Sequence, residues 1–258
     1  MVLYHNITLR DFVAGLEHTS EMNPFFSLPA VELMHQEGRE DIDYALSLVR
    51  EAIVLYEERE GIPQERSKRA IPFFRQGSRM LIGPEIGLHI LTLSESTLAD
   101  SLKEEPMLCL ELDYQQLGML CFLEDYSLVS CKRDRDAMTA RFMEQLSNEY
   151  DTFFFDAEHT GFTANSRFFS LLQEACLEVL PGREDTKMWR LVARIAPEEA
   201  SYRYDRGDLV PYLPIRLPVA CLNRIHLMGQ ADQPLLFGTL NGFLKSKKLP
   251  AERLLDLV

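Results

Sequence analysis

In Cys109-Leu110-Glu111-Leu112-Asp113 two carboxylates alternate with leucines. On a strand, Glu111 and Asp113 therefore project from one face. Such a pair suits proton transfer or a hard cation, and it also suits a plain solvated strand face. A second group is basic and aromatic: Arg190, Arg203 and Arg206 accompany Tyr202, Tyr204 and Tyr212. Guanidinium forks match phosphate or carboxylate oxygens and stack on aromatic rings. In an acidic chain they equally match internal carboxylates. His5 follows the apolar Met1–Tyr4 run, and Ser94 closes the apolar run Ile86–Leu93. An imidazole at a strand end can anchor a dinucleotide or simply hydrogen-bond its neighbours. Ser94-Glu95-Ser96-Thr97 can face a pocket or form a turn.

Other chemistries are excluded by pattern. The sequence has no glycine-rich phosphate loop, no Gly-x-Ser-x-Gly, no His-Glu-x-x-His and no Gly-x-Gly-x-x-Gly. Its six histidines are scattered. Lys245-Ser246-Lys247-Lys248 sits at the end of a helical pattern, where cations complement the dipole.

The elements that must position these residues follow from periodicity. Thr8 offers an N-cap ahead of Leu9, Phe12, Val13 and Leu16. Asn23–Pro29, with two prolines, reads as an irregular loop. Glu40–Arg59 repeats Ile42, Leu46, Val49, Ile53 and Tyr56 at helical spacing, and Gly61-Ile62-Pro63 stops it. The charged, Gly- and Pro-bearing segment over 61–85 reads as a surface excursion. Ile86–Leu93 and Pro106–Asp113 are strands, and Gly118–Phe122 with Ser127–Cys131 reads as a hairpin turning at Glu124-Asp125. Helices follow over Asp134–Glu149 and Ser166–Leu180. Three strand-like runs come next, Lys187–Ile195, Tyr202–Tyr212 and Leu222–Gly229, with Trp189 assigned to core packing. Pro234–Lys245 is a helix, and Arg253–Val258 an apolar tail suited to a sheet edge. The expected architecture is a single α+β domain over 1–258, with a mostly antiparallel central sheet flanked by helices.

Of the 258 residues 46% are hydrophobic, ample for a core, and the net charge is -13. That charge disfavours nonspecific nucleic-acid binding and anionic membranes. Five cysteines in apolar runs, odd in number and without a Cys-x-x-Cys pair, fit reduced thiols. With no secretory pattern and no apolar stretch of the length a span needs, the expected location is cytoplasmic.

The order of short motifs resembles a family of uncharacterised bacterial proteins classed as a domain of unknown function. The motifs are Tyr4-His5-x-x-Thr8-Leu9, Leu93-Ser94-Glu95, Cys109–Asp113, Lys187–Val192, Arg206-Gly207-x-x-Val210-Pro211-Tyr212 and Ile225–Gly229. That family's layout is similar to the ADP-ribosyltransferases, with a His near the first strand, a Ser closing a middle strand and a Glu-x-Glu on a later one. The resemblance implies NAD as the cofactor, held in a nucleotide-sized cleft between the strands of His5, Ser94 and Arg190. It also implies a role in phage defence. At the Glu-x-Glu positions this chain has Thr186 and Met188, and a thioether cannot stabilise an oxocarbenium-like cation. The expected function is therefore a degenerate ADP-ribosyltransferase-like domain that binds a nucleotide or other anionic ligand through His5, Ser94, Arg190, Arg203, Arg206 and Tyr212. Two alternatives stand beside it. One is a protein-interaction module using Asn23–Pro29 and Gln64–Pro84, and the other is an active transferase in which Glu184 or Glu111 supplies the missing carboxylate.

Overall fold

The chain alternates between extended runs and amphipathic helices. The computed structural model describes residues 1–33, 39–69, 87–96, 107–131, 134–157, 161–164, 166–179, 187–205, 207–228 and 233–256. It opens with β1 (Val2–Thr8), α1 (Leu9–Gly15), β2 (Phe25–Glu32) and α2 (Arg39–Glu60). Next come β3 (Gly87–Ser94), β4 (Met107–Asp113), α3 (Tyr114–Leu123), β5 (Ser127–Cys131) and α4 (Arg135–Phe153). A small hairpin, β6 (Phe154–Ala157) with β7 (Gly161–Ala164), leads to α5 (Ser166–Glu178) and β8 (Met188–Ile195). The chain closes with β9 (Ser201–Asp205), β10 (Asp208–Pro218), β11 (Leu222–Met228), α6 (Gln233–Ser246), α7 (Ala251–Leu254) and β12 (Leu255–Asp256).

Ten of these strands form one sheet, antiparallel except for the β11–β12 pair. This is the expected α+β class. Of the expected apolar tail, Leu255–Asp256 docks at an edge as β12, while Arg253 and Leu254 belong to α7 and residues 257–258 lie outside the described residues.

Strand β3 is where the sheet forks. Along one edge it pairs with β8 over its whole length, and β8 carries β5 beyond it. On the other edge two strands compete. β1 meets β3 at Tyr4↔Ser94, and β2 meets it at Val31↔Ile90 and Glu32↔His89. Two arms diverge from there, β1–β4–β11–β12 and β2–β10–β9. Helix α1 links β1 to β2 and packs beside both. Its last residue, Gly15, lies so close to β2 that a Cβ would stand 2.1 Å from the Ser27 carbonyl oxygen.

Two apolar cores cover opposite faces of the sheet. Helices α2, α4 and α5 pack Ile42, Val49, Phe142, Leu146, Phe168 and Leu172 onto Leu88, Ile90 and Val192. On the opposite face α1, α3, α6 and α7 pack Phe12, Leu117, Leu240 and Leu254 onto Leu3, Leu91, Leu93, Leu110, Ile215 and Ile225. Burying leucines, isoleucines and phenylalanines on both faces is the dominant stabilising term for such a sheet.

Three expected elements are corrected. Asn23–Pro29 is not all loop, because β2 begins at Phe25 and holds Pro29 directly opposite Pro214 of β10. At that pair neither amide is required by the partner strand. The Pro29 nitrogen faces the fork, and the Pro214 nitrogen faces the edge of β10 beyond its last pair with β9, Tyr212↔Ser201. Gly118–Phe122 is helix rather than a hairpin arm. Asp113 caps it by accepting from the Gln116 amide at 2.9 Å, and an unbroken apolar run carries no period to separate helix from strand. Tyr202–Tyr212 is two strands, turned at Gly207 with φ of +91°. Of the 61–85 excursion, Gln64–Arg66 forms an exposed 3-10 turn. Residues 70–86 lie outside the described residues.

Candidate functional site

The strand registers bring polar residues from distant segments into a single row. Met188 of β8 lies opposite Ser94 of β3, Ser94 opposite Tyr4 of β1, Tyr4 opposite Glu111 of β4, and Glu111 opposite Arg224 of β11. Directly paired residues in antiparallel strands share a face, so all five side chains project together. A second row beside it runs Asn6, Cys109, His226. This face on β1, β4 and β11 belongs to neither apolar core. The physical cause is the alternation: Leu3 and Ile7, Leu108, Leu110 and Leu112, and Ile225 and Leu227 all turn to the other side.

The centre of the face is Glu111. His226 Nε2 stands 3.5 Å from its Oε2, with the two side chains only 13% and 17% exposed. The Tyr4 ring lies 6.2 Å from the His226 ring. Burial pushes the Tyr4 hydroxyl up from its ordinary value, the Glu111 charge and Cys109 push it further, and Arg224 opposes them. The Cys109 thiol is pushed up to about 11 by burial and by Glu111, so it stays protonated near neutrality and is not a nucleophile. Among the described residues no group of three or more His, Cys, Asp or Glu side chains is placed to hold a metal ion.

The sequence-derived candidates divide among separate places. Ser94 is in the row but buried, and its Oγ donates to the Ser96 carbonyl, the turn-forming role. Arg190 is one ladder step from Met188 and also buried. Its Nη1 donates to the Cys176 carbonyl in the last turn of α5, a helix end with no basic residue of its own. It is thus a cap beneath the helical core and not part of an open site. His5 faces the opposite side from Ser94, together with Leu3 and Ile7. Its Nδ1 donates to the Thr92 carbonyl at 2.9 Å, spanning the fork where β1 leaves β3. Burial pushes this imidazole below its ordinary value, against the opposing influence of the Thr92 bond and Asp11.

Arg203 is tied down as well. Its Nη1 donates to Asp11 Oδ2 at 3.0 Å, and its guanidinium lies 5.9 Å from the centre of the Tyr212 ring. For Arg203 the structure shows internal pairing with a carboxylate. His5, Arg203 and Tyr212 therefore gather around Asp11 and α1, apart from Ser94 and Arg190. Arg206 and Glu184 lie outside the described residues. Trp189 is only half-buried, and its Nε1 donates to Glu95 Oε1 at 3.0 Å while its ring meets Tyr114 edge-on.

Of the candidates, Glu111 has the most suggestive surroundings, and the sequence reading missed its neighbours Tyr4, Arg224 and His226. A signal was present: Arg224-Ile225-His226-Leu227 alternates polar and apolar residues as Glu111 and its leucines do. Only the register shows that these alternations meet. Comparisons with family models, with curated proteins and with solved structures gave no significant match.

Proposed function

We propose that the chain binds a nucleotide or other anionic ligand on the polar face of β1, β4 and β11, as a degenerate ADP-ribosyltransferase-like domain. The observation that carries this reading is the row Ser94, Tyr4, Glu111, Arg224. It offers both kinds of group that a nucleotide requires. Arg224 supplies a guanidinium for a phosphate, and Glu111 supplies acceptor oxygens for ribose hydroxyls. Tyr4 and His226 offer ring surface and hydrogen bonds beside them. Met188, buried opposite Ser94, stands where transferase chemistry expects a carboxylate, so binding is not followed by transfer.

The placement of the binding face is new relative to the motif order alone, since Arg190 and His5 do not contribute to it. A net charge of -13 supports a ligand that is not nucleic acid. No described helix is long and apolar enough to cross a membrane, and all five cysteines are free thiols, which supports a reducing, cytoplasmic setting.

Titration calorimetry with NAD and with ADP-ribose is the test. Heat of binding is expected for at least one of them, and Arg224→Gln is expected to remove most of it. No heat from folded protein with either ligand overturns the reading.

One observation favours an active enzyme as a second reading. Glu111 is a half-buried carboxylate in the same row as Ser94 and Tyr4, three strands away from the Met188 position. On that reading it stabilises the cationic transition state in place of the missing group. Mass spectrometry of lysate proteins incubated with NAD would then detect added ADP-ribose, lost on Glu111→Gln.

A further inference from the structure

Helix α3 presents apolar residues on every side. Leu117, Leu120 and Cys121 face the core, whereas Met119, Phe122 and Leu123 are 60%, 88% and 72% exposed. A helix apolar all round is ordinarily buried. Positions i, i+3 and i+4 form one stripe, so these three make a continuous apolar strip in water, the usual mark of an interaction surface.

The end of the strip carries charge. Glu124 and Asp125 are both exposed and follow directly, at a helix C-terminus whose dipole is already negative and whose last turn has no basic residue. Asp125 sits at φ of +55°, and the Tyr126 amide closes back onto the Cys121 carbonyl at 2.9 Å. Glycine is the usual residue at this left-handed position after a helix. Aspartate there adds a second negative charge where the backbone would favour glycine.

The charges also discriminate among occupants. In an antiparallel pairing of two copies, Glu124 and Asp125 would lie near the capping Asp113 of the other α3. In a parallel pairing, like would lie on like. Neither arrangement is electrostatically favourable. An anionic lipid surface is repelled in the same way.

We infer that α3 docks an amphipathic helical segment of a different protein, apolar along one face and basic at the end lying over Glu124 and Asp125. Helix-on-helix packing suits the straight strip. This surface is distinct from the polar face of β1, β4 and β11, and its occupancy does not depend on a nucleotide.

The test uses the full chain and two labelled synthetic helices that share one leucine face, with lysines at one end in the first and glutamates in the second. Fluorescence anisotropy should show saturable binding of the lysine peptide, about tenfold tighter than its twin and weakening as salt rises. Phe122→Ser should abolish it without lowering the melting temperature, because the ring is exposed. Glu124→Gln with Asp125→Gly should bring the lysine peptide down to the level of the glutamate one. Equal binding of both peptides, or none that saturates, overturns the inference. So does a dimer in sedimentation that Phe122→Ser dissolves, which makes a second copy the occupant. Preferential binding to zwitterionic vesicles would make the partner lipid and overturn it too.

Discussion

His226 reaches Glu111 diagonally across the β4–β11 ladder, 3.5 Å from Nε2 to Oε2, while the residue directly opposite Glu111 is Arg224. The carboxylate thus has two basic neighbours on one strand and the Tyr4 phenol on the other side. Tyr4, Glu111 and His226 are half-buried on this face, and Arg224 is exposed at its edge.

If the face binds ADP-ribose, Glu111→Gln should weaken that binding about tenfold, ~1.4 kcal/mol, by removing an anionic acceptor while keeping its shape. The melting temperature should change little. Calorimetry of the two proteins decides it, and unchanged affinity would separate Glu111 from ligand binding.

Arg190 should behave in the opposite way. Its guanidinium caps α5 from inside the core, so Arg190→Leu removes a buried hydrogen bond to the Cys176 carbonyl and should cost ~1–3 kcal/mol in urea unfolding. Ligand affinity measured where the variant is still folded should be unchanged. A variant of normal stability with lost affinity would restore Arg190 to the site.

Glu57 is 2% exposed and accepts four hydrogen bonds: from Tyr150 Oη and the Lys68 amide on Oε1, and from Ser67 Oγ and Arg69 Nε on Oε2. Burial pushes its pKa up, but those bonds outweigh burial and hold the carboxylate below its ordinary value of 4.5. The unfolded carboxylate then takes up a proton first. The stabilisation is complete above pH 4.5 and is lost as pH falls through the lower folded value. Glu57→Gln should cost ~2–3 kcal/mol at neutral pH, because an amide nitrogen faces donors. The variant's loss relative to wild type should shrink in acid, as urea midpoints at pH 7 and pH 3.5 would show.

His5 gives a pH dependence of the same direction in a different window. Burial holds its imidazole below the ordinary 6.5, so the unfolded chain binds the proton more readily. Stability should be complete above pH 6.5 and decline as pH falls through the folded value. His5→Gln should remove that part of the slope, and a midpoint series from pH 8 to pH 5 checks it. An unchanged slope would place the titration elsewhere.

Much of this molecule was determined locally. The heptad-like spacing from Ile42 to Tyr56, the apolar runs ending at Ser94 and Asp113, and the apolar character of the C-terminal tail are properties of short windows, because the pattern of one helix stripe or strand face is set by residues within a few positions. The alternation that puts Glu111 and Asp113 on one face is of the same kind. What no window contained was register. Whether Pro29 ends a strand or sits harmlessly in one depends on meeting Pro214 and on facing the fork. Whether Arg190 binds a ligand or caps α5 depends on which side of β8 the helices cover. The gathering of Tyr4, Glu111, Arg224 and His226 needs three strands from the beginning, middle and end of the chain to pair at one offset, and a one-residue slip of any strand would turn that strand's polar residues into the core.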